Sequence, residues 1–189
     1  WKEGRLLVDP CCGSGTIPIE AALIGRKIAP GLNRSFASEG WELIPKRIWK
    51  EERQKAYQEI RYDADLQICG SDTNTRAIEA AAENAAEAGV DDCIRFQIAD
   101  VEELAPGSVT DGIIITNPPY GQRIGEEASI ARIYESFRRY MKENPGWSLF
   151  VITTEKETEE RIGREADRRR KLYNGRLETC YYQFHGKRK

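Results

Sequence analysis

The chain has 189 residues, of which 40% are hydrophobic and 32% charged, with a formal net charge of -2. That suffices for one domain with a three-layer core. It includes no apolar run near the ~20 residues of a membrane-spanning helix and lacks the strongly basic balance of a general nucleic-acid binder. The five cysteines (Cys11, Cys12, Cys69, Cys93, Cys180) are odd in number without paired metal-ligand spacing, and His185 is the only histidine. Neither a metal site nor a disulfide framework is expected, and the expected compartment is a reducing cytoplasm. The chain opens on Trp1 and its only methionine is Met141. A fragment of a longer protein is therefore expected, with any targeting segment outside it.

Residues 5–9 predict a short buried strand stopped by Pro10. A glycine loop follows, then a helix over residues 17–24, with Pro18 in its first turn and Ser14 or Thr16 as its cap. Residues 31–65 read as a polar, helical insertion anchored by Trp41, Trp49 and Tyr57. Residues 66–70 predict the second strand, and residues 75–88 an alanine-rich helix ended by Gly89. Strands are predicted at 93–99 and 112–116, an amphipathic helix at 130–143, and a further strand at 148–153. A charged helix from 155 to about 164 leads to two late strands, 170–173 and 177–184, spaced as a terminal hairpin. This alternation predicts a parallel α/β sheet with helices on both faces.

The loop Asp9-Pro10-Cys11-Cys12-Gly13-Ser14-Gly15-Thr16 stands where open α/β sheets bind nucleotides. Pro18 replaces the third glycine of the dinucleotide fingerprint, and the phosphate-loop lysine is absent, which argues against NAD, FAD and nucleotide triphosphates. A loop without lysine and with an acid before it suits a cation, and S-adenosylmethionine carries both a sulfonium and an amino group. Asp72, at the second strand's end, stands where a ribose diol would lie. Its separation from the glycine loop exceeds the usual ~20 residues, and the insertion accounts for the excess. Asp100 offers an acceptor for an adenine amine beside the apolar Val101.

The fourth strand ends in Asn117-Pro118-Pro119-Tyr120. Proline fixes its own φ and holds the preceding residue extended. The Asn117 and Pro118 carbonyls and the Asn117 side chain then form a rigid cluster of acceptors beside an aromatic ring. Such a cluster can take both hydrogens of an NH2 on a planar group stacked on Tyr120. The cofactor set is therefore Asp9, Pro10, Cys12, Gly13, Gly15, Thr16, Asp72, Asp100, Val101 and Asn117, and the catalytic set Asn117, Pro118 and Tyr120.

These stretches, with Ala29-Pro30-Gly31-Leu32-Asn33-Arg34, Gly121-Gln122-Arg123 and Lys171-Leu172-Tyr173-Asn174-Gly175, cover nearly the whole chain. It resembles the catalytic domain of the THUMP-associated guanine-N2 RNA methyltransferases, most of all the bacterial branch acting on large-subunit (23S) ribosomal RNA. The resemblance implies a Rossmann-like class I S-adenosylmethionine-dependent methyltransferase: a seven-stranded, mostly parallel sheet with a C-terminal antiparallel hairpin. It further implies an RNA substrate and a THUMP RNA-binding module N-terminal to these residues. Alternative targets are guanine in transfer RNA, adenine N6 or cytosine N4 in DNA, and protein glutamine. A non-catalytic S-adenosylmethionine-fold module that tethers RNA is the alternative of another class. Arg161, Arg164, Arg168, Arg169, Arg170, Lys171 and Arg176, with the tail Lys187-Arg188-Lys189, read by default as a solvated face and more sharply as a basic rim for RNA.

Overall fold

The computed structural model describes residues 1–105, 107–120 and 127–187. Strand β1 (Leu7–Asp9), helices α1 (Thr16–Gly25) and α2 (Lys46–Gln58), strand β2 (Ile68–Asp72), helix α3 (Thr75–Ala88) and strand β3 (Ile94–Ile98) form the first half. Strand β4 (Ile113–Thr116), helix α4 (Glu127–Glu143), strand β5 (Ser148–Thr153), helix α5 (Thr158–Ile162) and strands β6 (Arg168–Asn174) and β7 (Leu177–Phe184) follow. All seven lie in one sheet of order β3-β2-β1-β4-β5-β7-β6. The first five are parallel, and β7 runs antiparallel to both β5 and β6. The expected mostly parallel sheet with a terminal antiparallel hairpin is therefore observed.

Alternate residues of a strand face opposite sides, and here both sides are apolar. Leu7, Ile68, Ile94 and Ile113 meet Ile19 and Ala22 of α1 and Ala85 of α3. Val8, Ile114, Leu149 and Val151 meet Tyr134 and Phe137 of α4 and Ile162 of α5. This two-sided burial is why the central strands read as continuous runs rather than alternating ones. No helix among the described residues is long and apolar enough to cross a membrane.

Three local expectations are corrected. Helix α1 has Gly15, at φ +84°, as its N-cap, and neither Ser14 nor Thr16 supplies a side-chain cap. Of the three expected anchors in the 31–65 segment only Trp49 is half-buried, stacked on Phe36 at 5.7 Å, while Trp41 and Tyr57 are 61% and 51% exposed. The segment is instead tied by Arg53, which donates to the Leu32 and Arg34 carbonyls and pairs with Glu39 at 2.7 Å. The charged helix shrinks to Thr158–Ile162 because Gly163, at φ +81°, ends it and side-chain-to-backbone bonds turn the chain before it.

Candidate active site

The strand order reverses between β1 and β4, and at such a switch point the loops leaving the carboxyl ends diverge and leave a crevice. A cavity of about 580 Å³ lies there. Pro10, Cys11 and Gly13 line it from the β1 loop, Asp72 and Thr73 from the end of β2, and Asp100 and Val101 from the end of β3. Asn117 and Pro119 form the β4 side, and Ser129, Arg132 and Ile133 of α4 complete the lining with Glu102. A larger hollow of about 740 Å³ sits by the start of β5 and the residues after β7, next to Lys2, Arg5 and His185. Its Arg5 is already committed to the Asp111 and Gly112 carbonyls and to Ser148 Oγ, and neither Asp72 nor Asp100 lines it.

The two loop glycines serve different ends. Gly13, at φ +53°, would direct a Cβ into open space, so it leaves room for a ligand against the backbone. Gly15 is buried, and a Cβ on it would stand 3.0 Å from both Ala81 Cβ and Phe96 Cζ. It lets α1 approach α3 and β3 closely. Asp72 joins the loop to the sheet: its Oδ2 accepts the Gly13 N–H at 3.0 Å and its Oδ1 the Asn74 N–H at 2.9 Å. Asp100 accepts the Glu102 N–H at 2.9 Å, capping a single 3-10 turn while lining the cavity.

Asp9 lies outside the cavity lining and is 1% exposed. Burial pushes its carboxyl up to about 7, against the pull of the Thr116 hydroxyl and the Cys11 N–H. The Thr116 hydroxyl has no well-directed hydrogen-bond partner among the described residues, so its contact with Asp9 is a poorly aimed one. Burial also raises both neighbouring thiols, that of Cys12 to about 12, which keeps them protonated and poor nucleophiles.

Of the residues expected around a cofactor, Pro10, Gly13, Asp72, Asp100, Val101 and Asn117 share the cavity. Asp9, Cys12, Gly15 and Thr16 lie outside its lining. Sequence reasoning missed Arg132, which lines the cavity and pairs with Glu102 at 3.9 Å. Nothing local distinguishes it from any cation on an amphipathic helix.

Asn117 and Pro119 are exposed, Pro118 is buried and Tyr120 is half-buried. The Tyr120 hydroxyl is buried without a hydrogen-bond partner among the described residues. Tyr120 lines a third space, a hollow of about 360 Å³ bounded by Pro119, Ile130 and the turn from Thr153 to Glu157. That turn is held by Thr153 Oγ1, which accepts from the Tyr134 hydroxyl at 2.9 Å and the Glu155 N–H at 3.0 Å. The Thr158 hydroxyl donates to the Glu155 carbonyl at 2.7 Å. The two spaces thus share one wall residue, Pro119. Gly121-Gln122-Arg123, Arg188 and Lys189 lie outside the described residues.

Known proteins are similar to this chain in sequence and fold. A family model for the RMKL-like methyltransferase domain matches residues 1–183. The protein YpsC of Bacillus subtilis strain 168 is 43% identical over 187 residues, covering 99% of this chain and 48% of that protein. Ribosomal RNA large subunit methyltransferase K/L of Shewanella baltica strain OS195 is 38% identical over 187 residues, covering 96% of this chain and 26% of that protein. The chain therefore spans half or less of the length of these curated relatives. The crystal structure of SMU.472 complexed with SAH superposes with a TM-score of 0.93 at 38% identity, covering 100% of this chain and 50% of that one. With a sheet of the class I methyltransferase type and a family match over nearly its whole length, the chain belongs to the RMKL-like methyltransferase domain family.

Proposed function

We propose that this domain transfers a methyl group from S-adenosylmethionine to the exocyclic N2 amine of a guanine in large-subunit ribosomal RNA. The observation that carries the proposal is the shared wall: the larger cavity and the smaller hollow meet at Pro119, with Asn117 on one side and Tyr120 on the other. The larger cavity fits the methyl donor, with bare backbone at Gly13 and carboxylates at Asp72 and Asp100. Asp72 keeps lone pairs for ribose hydroxyls beyond the two N–H groups it already accepts, and Asp100 with Val101 suits an adenine edge. The bound donor supplies an electrophilic methyl on a sulfonium.

The chain's residues supply position and polarity. The flipped base enters the smaller hollow and stacks on Tyr120. The guanine amine is a poor nucleophile because its lone pair is delocalised into the ring. The Asn117 side-chain oxygen and the Pro118 carbonyl accept its two hydrogens and turn that lone pair toward the methyl. Proximity and fixed dipoles account for most of the acceleration. No general base is assigned: once the new N–C bond has formed, the excess proton on the amine passes to water.

Ribosomal RNA is favoured over other amine-bearing targets by the relatives named for large-subunit methylation. Initial RNA capture belongs, in this proposal, to an N-terminal THUMP region, in keeping with relatives at least twice as long as the matched stretch. The test is incubation of the full-length polypeptide with S-adenosylmethionine and unmodified ribosomal RNA, followed by nuclease digestion and mass spectrometry. N2-methylguanosine is the expected product; a methylated adenine or cytosine would refute the assignment.

A further inference from the structure

The β6–β7 hairpin stands taller than the rest of the sheet. Thr153, the last residue of β5, pairs with Cys180, and Cys180 with Lys171. Beyond that level the hairpin continues to Asn174 and Leu177 with no β5 beside it. At ~3.4 Å per residue its tip rises roughly 10 Å past the end of β5. Strand alternation puts Lys171 and Tyr173 on the same face as Cys180, Glu178 and Thr153. That is also the face packed by α4, and Thr153 with Ile130 of α4 lines the hollow beside Tyr120. Two strand spacings across and two residues up place Tyr173 about 12 Å from Thr153, Cα to Cα.

The tip carries an aromatic ring and cations in the open. Tyr173 is 64% exposed, and the Lys171 ammonium lies 5.4 Å from its ring centroid. Arg176, in the turn, makes no ion pair among the described residues. A tyrosine kept only for strand propensity would pack on its cross-strand partner. That partner is Glu178, whose carboxylate is taken by Lys171 at 2.7 Å. Much of the ring is left to solvent, above the same sheet face as the hollow and about 12 Å from its Thr153.

We propose that this tip is a single-stranded RNA contact: the Tyr173 ring stacks on a base flanking the extruded one, and Arg176 and Lys171 meet the neighbouring phosphates. The proposal rests on the reading that the hollow beside Tyr120 accepts a base of an RNA strand. Stacking on an aromatic platform with nearby cations holds single strands whatever their sequence. Glu178 competes with phosphate for Lys171 and so tempers the affinity.

The test uses the full-length polypeptide and anisotropy of a short labelled single-stranded RNA of mixed sequence, alongside methylation of unmodified large-subunit ribosomal RNA. Tyr173→Ala should weaken RNA binding about tenfold, and Tyr173→Phe by no more than about twofold, since stacking needs the ring alone. Arg176→Ala should lower the slope of log affinity against log salt by about 0.7, one phosphate contact to a single strand. Glu178→Gln, which frees Lys171, should tighten binding. Affinity for S-adenosylmethionine should stay at the parental value in all four, which shows that the fold survives. Parental RNA affinity in Tyr173→Ala, or a parental salt slope in Arg176→Ala, overturns the proposal. A parent that binds RNA through Tyr173 yet methylates no ribosomal RNA supports this contact and overturns the substrate assignment instead.

Discussion

Replacing Asp9 by asparagine keeps the shape of a buried side chain and removes its ability to ionise. Burial raises the Asp9 carboxyl from an ordinary 3.8 to about 7, so between those values the native chain holds a proton that the unfolded chain has released. Stability from the neutral form is complete below about pH 4 and is lost as pH rises through 7. At ~1.4 kcal/mol per tenfold change, the whole gap corresponds to about 4 kcal/mol, of which roughly half falls between about pH 5.5 and the plateau above 7. The parent should therefore lose about 2 kcal/mol more than Asp9→Asn between about pH 5.5 and pH 8. With an m-value near ~2 kcal/mol/M, that is about 1 M in the urea midpoint. Urea unfolding of both proteins at the two pH values measures it, and subtracting the variant removes every other titrating group. The same ionisation should favour a cationic donor: parental affinity for S-adenosylmethionine should rise with pH up to a plateau above 7. Asp9→Asn should bind with little pH dependence. Parallel stability profiles in the two proteins would refute the reasoning, because a carboxyl that ionises without cost is not held in an apolar site.

Asn117→Ala should slow methyl transfer by roughly two orders of magnitude, as loss of one preorganised dipole does, with donor affinity within a few-fold by calorimetry; transfer at the parental rate would make the acceptor cluster purely structural. Asp72→Ala removes the acceptor of the part-buried Gly13 N–H as well as the ribose contact, so donor affinity should fall at least tenfold and stability by about 1 kcal/mol. Gly15→Ala combines a left-handed φ with 3.0 Å contacts to Ala81 and Phe96. It should lower the urea midpoint by the equivalent of about 1–3 kcal/mol, whereas Gly13→Ala, left-handed at φ +53° but with space around its Cβ, should carry only the backbone cost of about 1 kcal/mol together with a loss of donor affinity.

Elements whose ends are set by local chemistry were legible from sequence. Helix α3 runs from Thr75 to Ala88 because Asn74 caps its start, accepting the Arg76 N–H, and Gly89 ends it at φ +69°; both signals are single residues. Strand β5 was bounded correctly for a similar reason, with Gly146 before its apolar run and the polar turn after Thr153. The acids at the strand ends were legible because a parallel sheet brings every carboxyl end to one edge. What escaped depends on contacts between distant segments. The fit of Gly15 against Phe96 and the reach of Arg132 to Glu102 both join stretches whose proximity follows only from the folded topology. The anchoring of the 31–65 segment by Arg53 escaped because aromatic side chains signal burial from sequence and an arginine reaching three acceptors does not.

The wall shared by the two cavities has a mechanical consequence. Both Asn117 and Pro119 follow directly from β4, a four-residue strand paired on each side, with Ile114 fully buried beneath them. Helix α4 lines one cavity through Ser129, Arg132 and Ile133 and the other through Ile130, so a displacement of it changes access to both. In the proposed reaction the separation between donor and target is then set by the end of a strand paired on both sides, and access to the two spaces by the helix packed beside it.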